Sequence, residues 1–341
     1  MKPTKRFLAL LLCVSALCVL LSGCGPAGDG KRIIRISHMQ SETHPEHLGL
    51  LAFKEYIEEN LGEKYVVQIY PNELLGAART SIELTQTGAI DFTVAGTANL
   101  ETFADVYEIF SMPYLFTSEE AYHATMQDTA YMEDVYASTG EAGFRVLTWY
   151  NAGARGFYAS KPINTPADLK GLKIRVQQSP ASIKMANAFG AAASPMSFGE
   201  VYTAIQQHVI DGAENNELAL TNNKHGEVAK YYSYNRHQMI PDMLIGNLKF
   251  LNSLSADELK IFQEAAALST QVEMAAWDEQ VEEAKRIAAE DMGVEFIDVD
   301  VQVFKEAVAD VQAEMLEANP RIRDLYDHIQ TVNADYEKEA E

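Results

Sequence analysis

The sequence predicts an α/β fold in two domains tied together by one long helix, and three observations carry that prediction. From residue 32 onward, short apolar runs with period-two alternation take turns with segments of helical spacing. The character of the chain changes around "NAGARGFYASKP" (151–162), which places a domain crossing near residue 152. After "SADE" (255–258) the chain is almost entirely helical, and "ELKIFQEAAALSTQVEMAAWDEQVEEAKRIAAEDMG" is far longer than an average helix yet lacks heptads. A helix of that kind reads as a brace packed across both domains.

Taken in order, "RIIRISH" (32–38) is a strand, and Leu50, Phe53, Ile57 and Leu61 follow at helical spacing. "GEKYVVQIYP" (62–71) returns to a strand, a helix spans roughly 77–88, and the apolar run "DFTVAG" (91–96) closes a βαβαβ unit. Such a unit implies parallel strands with right-handed crossovers, and ligands then sit beyond the carboxyl ends of the strands. The loops "MQSETHP" (39–45), "PNELLG" (71–76) and "GTANLE" (96–101) are therefore the first places to look for a site. "GFRVLTWY" (143–150) is a further strand before the crossing.

The second block is punctuated by caps. Thr165 and Pro166 open a short helix that Gly171 ends. "GLKIRV" (171–176) then alternates Leu172, Ile174 and Val176 with Lys173 and Arg175, and periodicity alone would turn Arg175 toward water. "SFGE" (197–200) and "SADE" are capping-box patterns, the first opening a helix that buries Val201, Ala204 and Ile205. The expected units are 32–152 with 241–280, and 153–240 with 281–335.

Residues 1–23 are a different object. Lys2, Lys5 and Arg6 precede "FLALLLCVSALCVLL", a run too short to span a bilayer comfortably, and the whole reads as an export signal. "LSGC" (21–24) resembles a lipobox, so Cys24 is expected to become a lipid-bearing N-terminus, with 24–31 as a tether. All three cysteines lie in this region, which leaves the body of an exported protein without a disulfide pair and dependent on its core. The expected address is outside the cytoplasmic membrane, at its outer face or in the periplasm, with membrane contact through the lipid alone.

The net charge is −22 and becomes about −25 once the leader cations are gone. Nucleic-acid binding needs clustered cations and is excluded. An anionic small molecule is not, because the surface field fades within about 8 Å at physiological salt and local groups decide. With 47% hydrophobic and 22% charged residues the composition is that of a globular chain.

Signatures of the common enzymes are missing: there is no G-x-S-x-G, H-E-x-x-H, Walker A loop or G-x-G-x-x-G. His38, His44 and His47 form the one cluster that could take a metal, although no cysteine joins them and no pair shares a helix face; the expectation is no metal and no cofactor. Carboxylate pairs such as Glu42 with Glu46 and Glu119 with Glu120 are what an acidic surface produces, and a hydrolase acting on acidic sugars would need two converging across a cleft. Trp149, Tyr150, Phe157 and Tyr158 gather at the crossing, either as core or as a sugar-stacking wall.

Three separated blocks, "YPNELLGAARTSIELTQTGAIDFTVAG", "ARGFYASKPINTPADLKGLKIRV" and "SPMSFGEVYTAIQQHVIDGAENN", resemble the solute-binding proteins of tripartite ATP-independent periplasmic (TRAP) transporters, in order and over about 32–335. The resemblance implies a periplasmic-binding-protein-like clam with a ligand cleft between its domains. Such a protein is not an enzyme; it captures an organic acid and delivers it to membrane permease subunits driven by an ion gradient. It also implies that Arg175 of the "IRV" strand meets the ligand carboxylate, that Arg155 and Asn215 complete the clamp, that Phe198 lies over the ligand, and that Asn99 reaches in from the first domain. The chain departs from the pattern at Ala77 and Ala78, where an acidic residue is common, and at Gly96 and Asn99, where a sialic-acid binder carries a carboxylate and a base. His208 and Asn216 also replace the usual glycine and proline.

The choice of arginine has a physical reason of its own. A guanidinium meets both oxygens of a carboxylate in one plane, which an ammonium cannot do. Small residues at 77, 78 and 96, polar Asn99, and the hydrogen-bonding groups His38, Gln40 and Glu73 suit a hydroxylated acid. "HGEVAKYYSYNRHQMIPD" (225–242) resembles the corresponding stretch of hexuronate binders, so glucuronate or galacturonate is expected, with a C4-dicarboxylate or another hydroxy acid as the alternative.

Overall fold

The computed structural model describes residues 30–340. The leader, Cys24 and most of the tether lie outside the described residues. The strands are β1 (Arg32–Ser37), β2 (Tyr65–Tyr70), β3 (Phe92–Gly96), β4 (Phe144–Tyr150), β5 (Arg155–Ala159), β6 (Lys173–Val176), β7 (Ala192–Pro195), β8 (Gly212–Asn215), β9 (Tyr231–Gln238), β10 (Asp242–Asn247) and β11 (Glu295–Ile297). They form two sheets, ordered β2-β1-β3-β10-β4 and β11-β9-β5-β8-β6-β7.

The expected parallel start is present, with β1 between β2 and β3 and parallel to both. What alternation along 91–150 does not reveal is β10, which returns from the second sheet and inserts antiparallel between β3 and β4. All five residues of β3 and all six of β10 are buried, so neither strand alternates and periodicity has nothing to detect.

Each sheet is covered by helices that bury one apolar stripe. Helix Pro45–Leu61 turns Leu50, Phe53 and Ile57 to the first sheet. There Phe92 stacks on Phe262 at 5.8 Å, with Phe53 and Phe250 edge-on to Phe92. The helix expected at 77–88 runs Ala78–Thr87 and ends on Gly88, whose φ of +81° closes it in the left-handed conformation that glycine tolerates.

The Thr165 cap forms a capping box with Asp168, and both expected boxes, Ser197 with Glu200 and Ser255 with Glu258, are present. The first two open 3₁₀ turns, and the second continues as helix Val201–Gln206. The third opens a single helix of 35 residues, Ala256–Glu290. Its Phe262, Ala265 and Ala266 pack in the core of the first sheet, while Ala288 lies with Tyr158 and Tyr232 in that of the second. It is the brace that the sequence calls for.

Trp149, Tyr150, Phe157 and Tyr158 are all buried in these cores, which decides between packing and a stacking wall in favour of packing. One apolar cluster runs from Phe110, Trp149 and Met243 beside the first sheet to Phe157, Met185 and Phe304 beside the second, so the two lobes share a core at their junction. The last helix, from Arg323, returns to the first lobe, where Tyr131 stacks on His328 at 3.7 Å and the Thr117 N–H donates to Asn333 Oδ1 at 3.3 Å. Among the described residues no helix is long and apolar enough to cross a membrane.

Candidate functional site

Between the sheets lies a cavity of about 560 Å³, counting the solvent space at its mouth. The loops after β1, β2 and β3 and the first residue of β10 form one wall, presenting Gln40, His44, Glu73, Asn99 and Asp242. The other wall comes from β5, β6, β8 and the turn at 196–198, presenting Arg155, Arg175, Gln177, Phe198 and Asn215. The carboxyl ends of β1, β2, β3, β6 and β8 follow the rule for parallel strands, while Arg155 and Asp242 enter from the first residues of the antiparallel β5 and β10.

Arg175 does not face water. In β6 only Lys173 is exposed, and Arg175 is 3% exposed in the cavity wall. Its Nε and Nη2 donate to the Met196 carbonyl at 3.1 and 2.9 Å, and its guanidinium carbon stands 5.6 Å from the centre of the Phe198 ring. Among the described residues no carboxylate forms an ion pair with it. Burial, ahead of every neighbour, presses its pKa below the usual arginine range.

Arg155 is equally buried and arranged differently. It is ion-paired through Nε with the Glu214 carboxylate at 2.5 Å; Nη2 donates to the Glu214 carbonyl at 2.9 Å and Nη1 to Asn215 Oδ1 at 2.8 Å. Burial alone would favour the acid form of Glu214, but Arg155 and His237 outweigh it and hold its pKa down at about 2. The charge of Arg155 is thus met within the protein, while that of Arg175 is open. Asn215 Oδ1 also accepts from the Asn216 N–H at 2.9 Å, which leaves its amide NH₂ as the donor for a ligand.

Glu73 spans the cleft. Its Oε2 accepts from the Gly199 N–H of the second lobe at 3.2 Å, and a Cβ on residue 199 would fall 2.5 Å from that oxygen. Close approach also explains Gly96: a Cβ there would stand 3.0 Å from Asp242 Oδ1 and 3.2 Å from Gln177 Nε2, where the two walls meet.

Seven of the eight expected ligand residues line the cavity: Arg175, Arg155, Asn215, Asn99, Phe198, Gln40 and Glu73. His38 does not. Its ring is turned into the first lobe, with Nε2 2.9 Å from His47 Nδ1 and Nδ1 3.2 Å from Glu46 Oε1. The histidine that reaches the cavity is His44, whose Nδ1 also caps helix Pro45–Leu61 by accepting from the Glu46 N–H at 3.2 Å. Burial holds the pKa of both His38 and His44 down at about 3, so both are neutral at pH 7. Among the described residues no three His, Cys, Asp or Glu side chains converge to hold a metal ion. Gln177 and Asp242 are cavity residues that sequence reading passes over. Gln177 directly follows the "IRV" strand and was open to the strand-end rule; Asp242 depends on β10, which carries no periodic signal.

The model of the bacterial extracellular solute-binding proteins, family 7, matches residues 36–319. The chain belongs to this family. A TRAP periplasmic solute-binding protein from Anaerococcus prevotii with bound D-glucuronate shares 52% identity at a TM-score of 0.88, over 90% of this chain and 99% of that one. A second, from Sulfitobacter sp. with bound β-D-galacturonate, shares 32% identity at a TM-score of 0.83, over 88% and 100%. The uncharacterized protein YiiZ of Salmonella typhimurium is 40% identical over 93% of this chain and 96% of its own. The chain is thus a periplasmic solute-binding protein of the TRAP type, a family whose business is binding and transport.

Behind the first wall of this solute-binding protein, Asp242 meets two more buried carboxyls. Glu46 and Asp242 act on each other's carboxyls in this buried place, an arrangement that favours keeping a proton on one of them. Glu273, fully buried on the long helix, accepts from the Asn151 N–H at 3.1 Å. Burial raises all three, Glu46 to about 8; repulsion from Glu46 adds to it at Asp242 and at Glu273, while the contact with Asp242 works against it at Glu46. Arg155 is the cation that acts on Asp242, while His38 faces the Glu46 carboxyl as a neutral ring and His44 accepts from the Glu46 N–H.

Two predictions follow from this electrostatics. Arg155→Met leaves Glu214 buried with only His237 beside it, at 3.5 Å, and should cost about 3–5 kcal/mol of stability in urea unfolding. A carboxyl with a raised native pKa binds more protons folded than unfolded, so its contribution is complete below about pH 4.5 and is lost as pH rises toward 8. Glu46→Gln should therefore match the wild type at pH 5 and exceed it at pH 8 by about 1–3 kcal/mol. Equal differences at the two pH values would refute the assignment.

Proposed function

We propose that this protein captures a hexuronate, D-glucuronate or D-galacturonate, outside the cytoplasmic membrane and hands it to the membrane subunits of a TRAP permease. The observation that carries the reading is Arg175, a buried guanidinium with no ionic partner among the described residues, in a cavity whose facing wall offers amide, imidazole and carboxyl groups for hydroxyls. The two relatives with hexuronates bound support the sugar acid over a C4-dicarboxylate. Asn215 adds a donor beside the carboxylate, and Phe198 offers an apolar face for the sugar ring. In the same proposal Cys24, once freed by cleavage, carries the lipid that keeps the protein at the membrane.

The moving parts are the expected units, 32–152 with 241–280 and 153–240 with 281–335, except that the helix from Arg323 goes with the first lobe on which it packs. A ligand touching Arg175 and Asn215 on one lobe and Asn99 on the other binds the closed state better and shifts the population toward it.

Titration of uronates into Arg175→Ala by calorimetry should show a loss of about 2–5 kcal/mol, roughly 30- to several-thousand-fold in Kd. Lysine at this position should not restore wild-type affinity, because the planar fork is missing. Undiminished binding by the alanine variant would remove the foundation of the proposal. Small-angle scattering should show a smaller radius of gyration at saturating uronate; an unchanged radius would count against closure.

A further inference from the structure

The two walls of the cavity differ in charge, and the difference limits which acids can enter. Both cations of the site, Arg155 and Arg175, lie on the second lobe, and Arg155 is matched by Glu214. The facing wall holds the amides of Gln40 and Asn99, the neutral ring of His44, and the carboxyls of Glu73 and Asp242. No lysine or arginine lines it among the described residues. Glu46 and Glu273 stand behind Asp242, so the wall is backed by further carboxyls, and the cation that acts on Asp242 is Arg155 of the other lobe, already paired with Glu214.

We propose that the cleft is a single-anion site: it takes organic acids with one carboxylate, set on Arg175 with an uncharged hydroxylated end toward Asp242, Asn99 and His44, and it excludes diacids. The inference rests on the reading above for the position of the carboxylate, and it holds for any monocarboxylate whether or not the ligand is a hexuronate.

The argument is one of desolvation and pairing. The first carboxylate enters a place where a guanidinium lacks an anion, and each satisfies the other. A second carboxylate would leave water for a wall that offers no cation, where Glu73 and the Asp242–Glu46 pair oppose further negative charge. Hydroxyls meet no such penalty, because each donates and accepts, as the amides, imidazole and shared-proton carboxyls do. Selection against the diacid is therefore built by withholding a charge as much as by supplying one.

The test is calorimetric titration of the full exported chain at pH 7.5 with D-glucuronate, D-gluconate, D-glucarate and succinate. D-glucarate and succinate should bind at least about 100-fold more weakly than the best monocarboxylate, the scale set by an unpaired buried charge. Because D-glucarate differs from a cyclic uronate in shape as well as charge, Asn99→Lys supplies the control by placing a cation on the empty wall. It should improve D-glucarate relative to D-glucuronate by about tenfold or more. A diacid binding within tenfold of the best monocarboxylate overturns the proposal, and so does an unchanged ratio in a folded Asn99→Lys protein. If D-gluconate binds while D-glucuronate and both diacids do not, the hexuronate reading falls and the single-anion rule stands.

Discussion

A guanidinium buried without a counter-ion is the constraint on which this cleft depends. Taking Arg175 out of water costs several kcal/mol unless other groups compensate. The Met196 carbonyl and the Phe198 ring compensate only in part, through dipole and quadrupole instead of full charge. Arg155, on β5 of the same sheet, shows what a settled arginine looks like, with Glu214 and Asn215 occupying its nitrogens. The contrast separates the two arginines by role: Arg155 builds the wall and aims Asn215, and Arg175 waits for the ligand.

The scaffold around that charge works by bringing two sheets within hydrogen-bond reach of each other. Glu73 crosses to the Gly199 N–H, and Glu101 crosses to the Ala181 N–H at 3.3 Å, so each spans from the first lobe to the start of a helical segment of the second. Such contacts are too weak to hold the cleft shut by themselves, and they are poised to add to whatever a ligand contributes. Gly96 permits the approach by omitting a side chain where Asp242 and Gln177 come closest. The 35-residue helix gives both lobes a common spine.

Much of this was legible in the sequence because it is local. Capping boxes state their geometry in four residues, and the βαβαβ start announces parallel strands whose carboxyl ends make the first wall. The role of Arg175 is an instructive middle case: alternation in "GLKIRV" turns it to the polar face, and only the three resembling blocks say that this face lines a cleft. His38 and Asp242 are harder. Both sit at the edge of a strand beside the cavity, and whether a side chain turns inward or outward there is settled by contacts outside the strand, the next helix's His47 and Glu46 for one and the distant Gly96 for the other. β10 was invisible for a related reason, since a strand buried on both faces has no period.

Three buried carboxyls beside an anion-binding cavity look at first like a liability, and the net charge of −22 makes them look worse. The resolution lies in distance and dielectric. Surface charges are screened by solvent, whereas inside the lobe the cost of ionising one carboxyl beside another is high enough that protons stay bound. A carboxyl that keeps its proton adds no field against the incoming acid, yet it still offers a donor and an acceptor for hydroxyls. An acidic protein can therefore bind an acid because one lobe supplies a single unmatched cation, and the other lines the cleft with polar groups and no second cation.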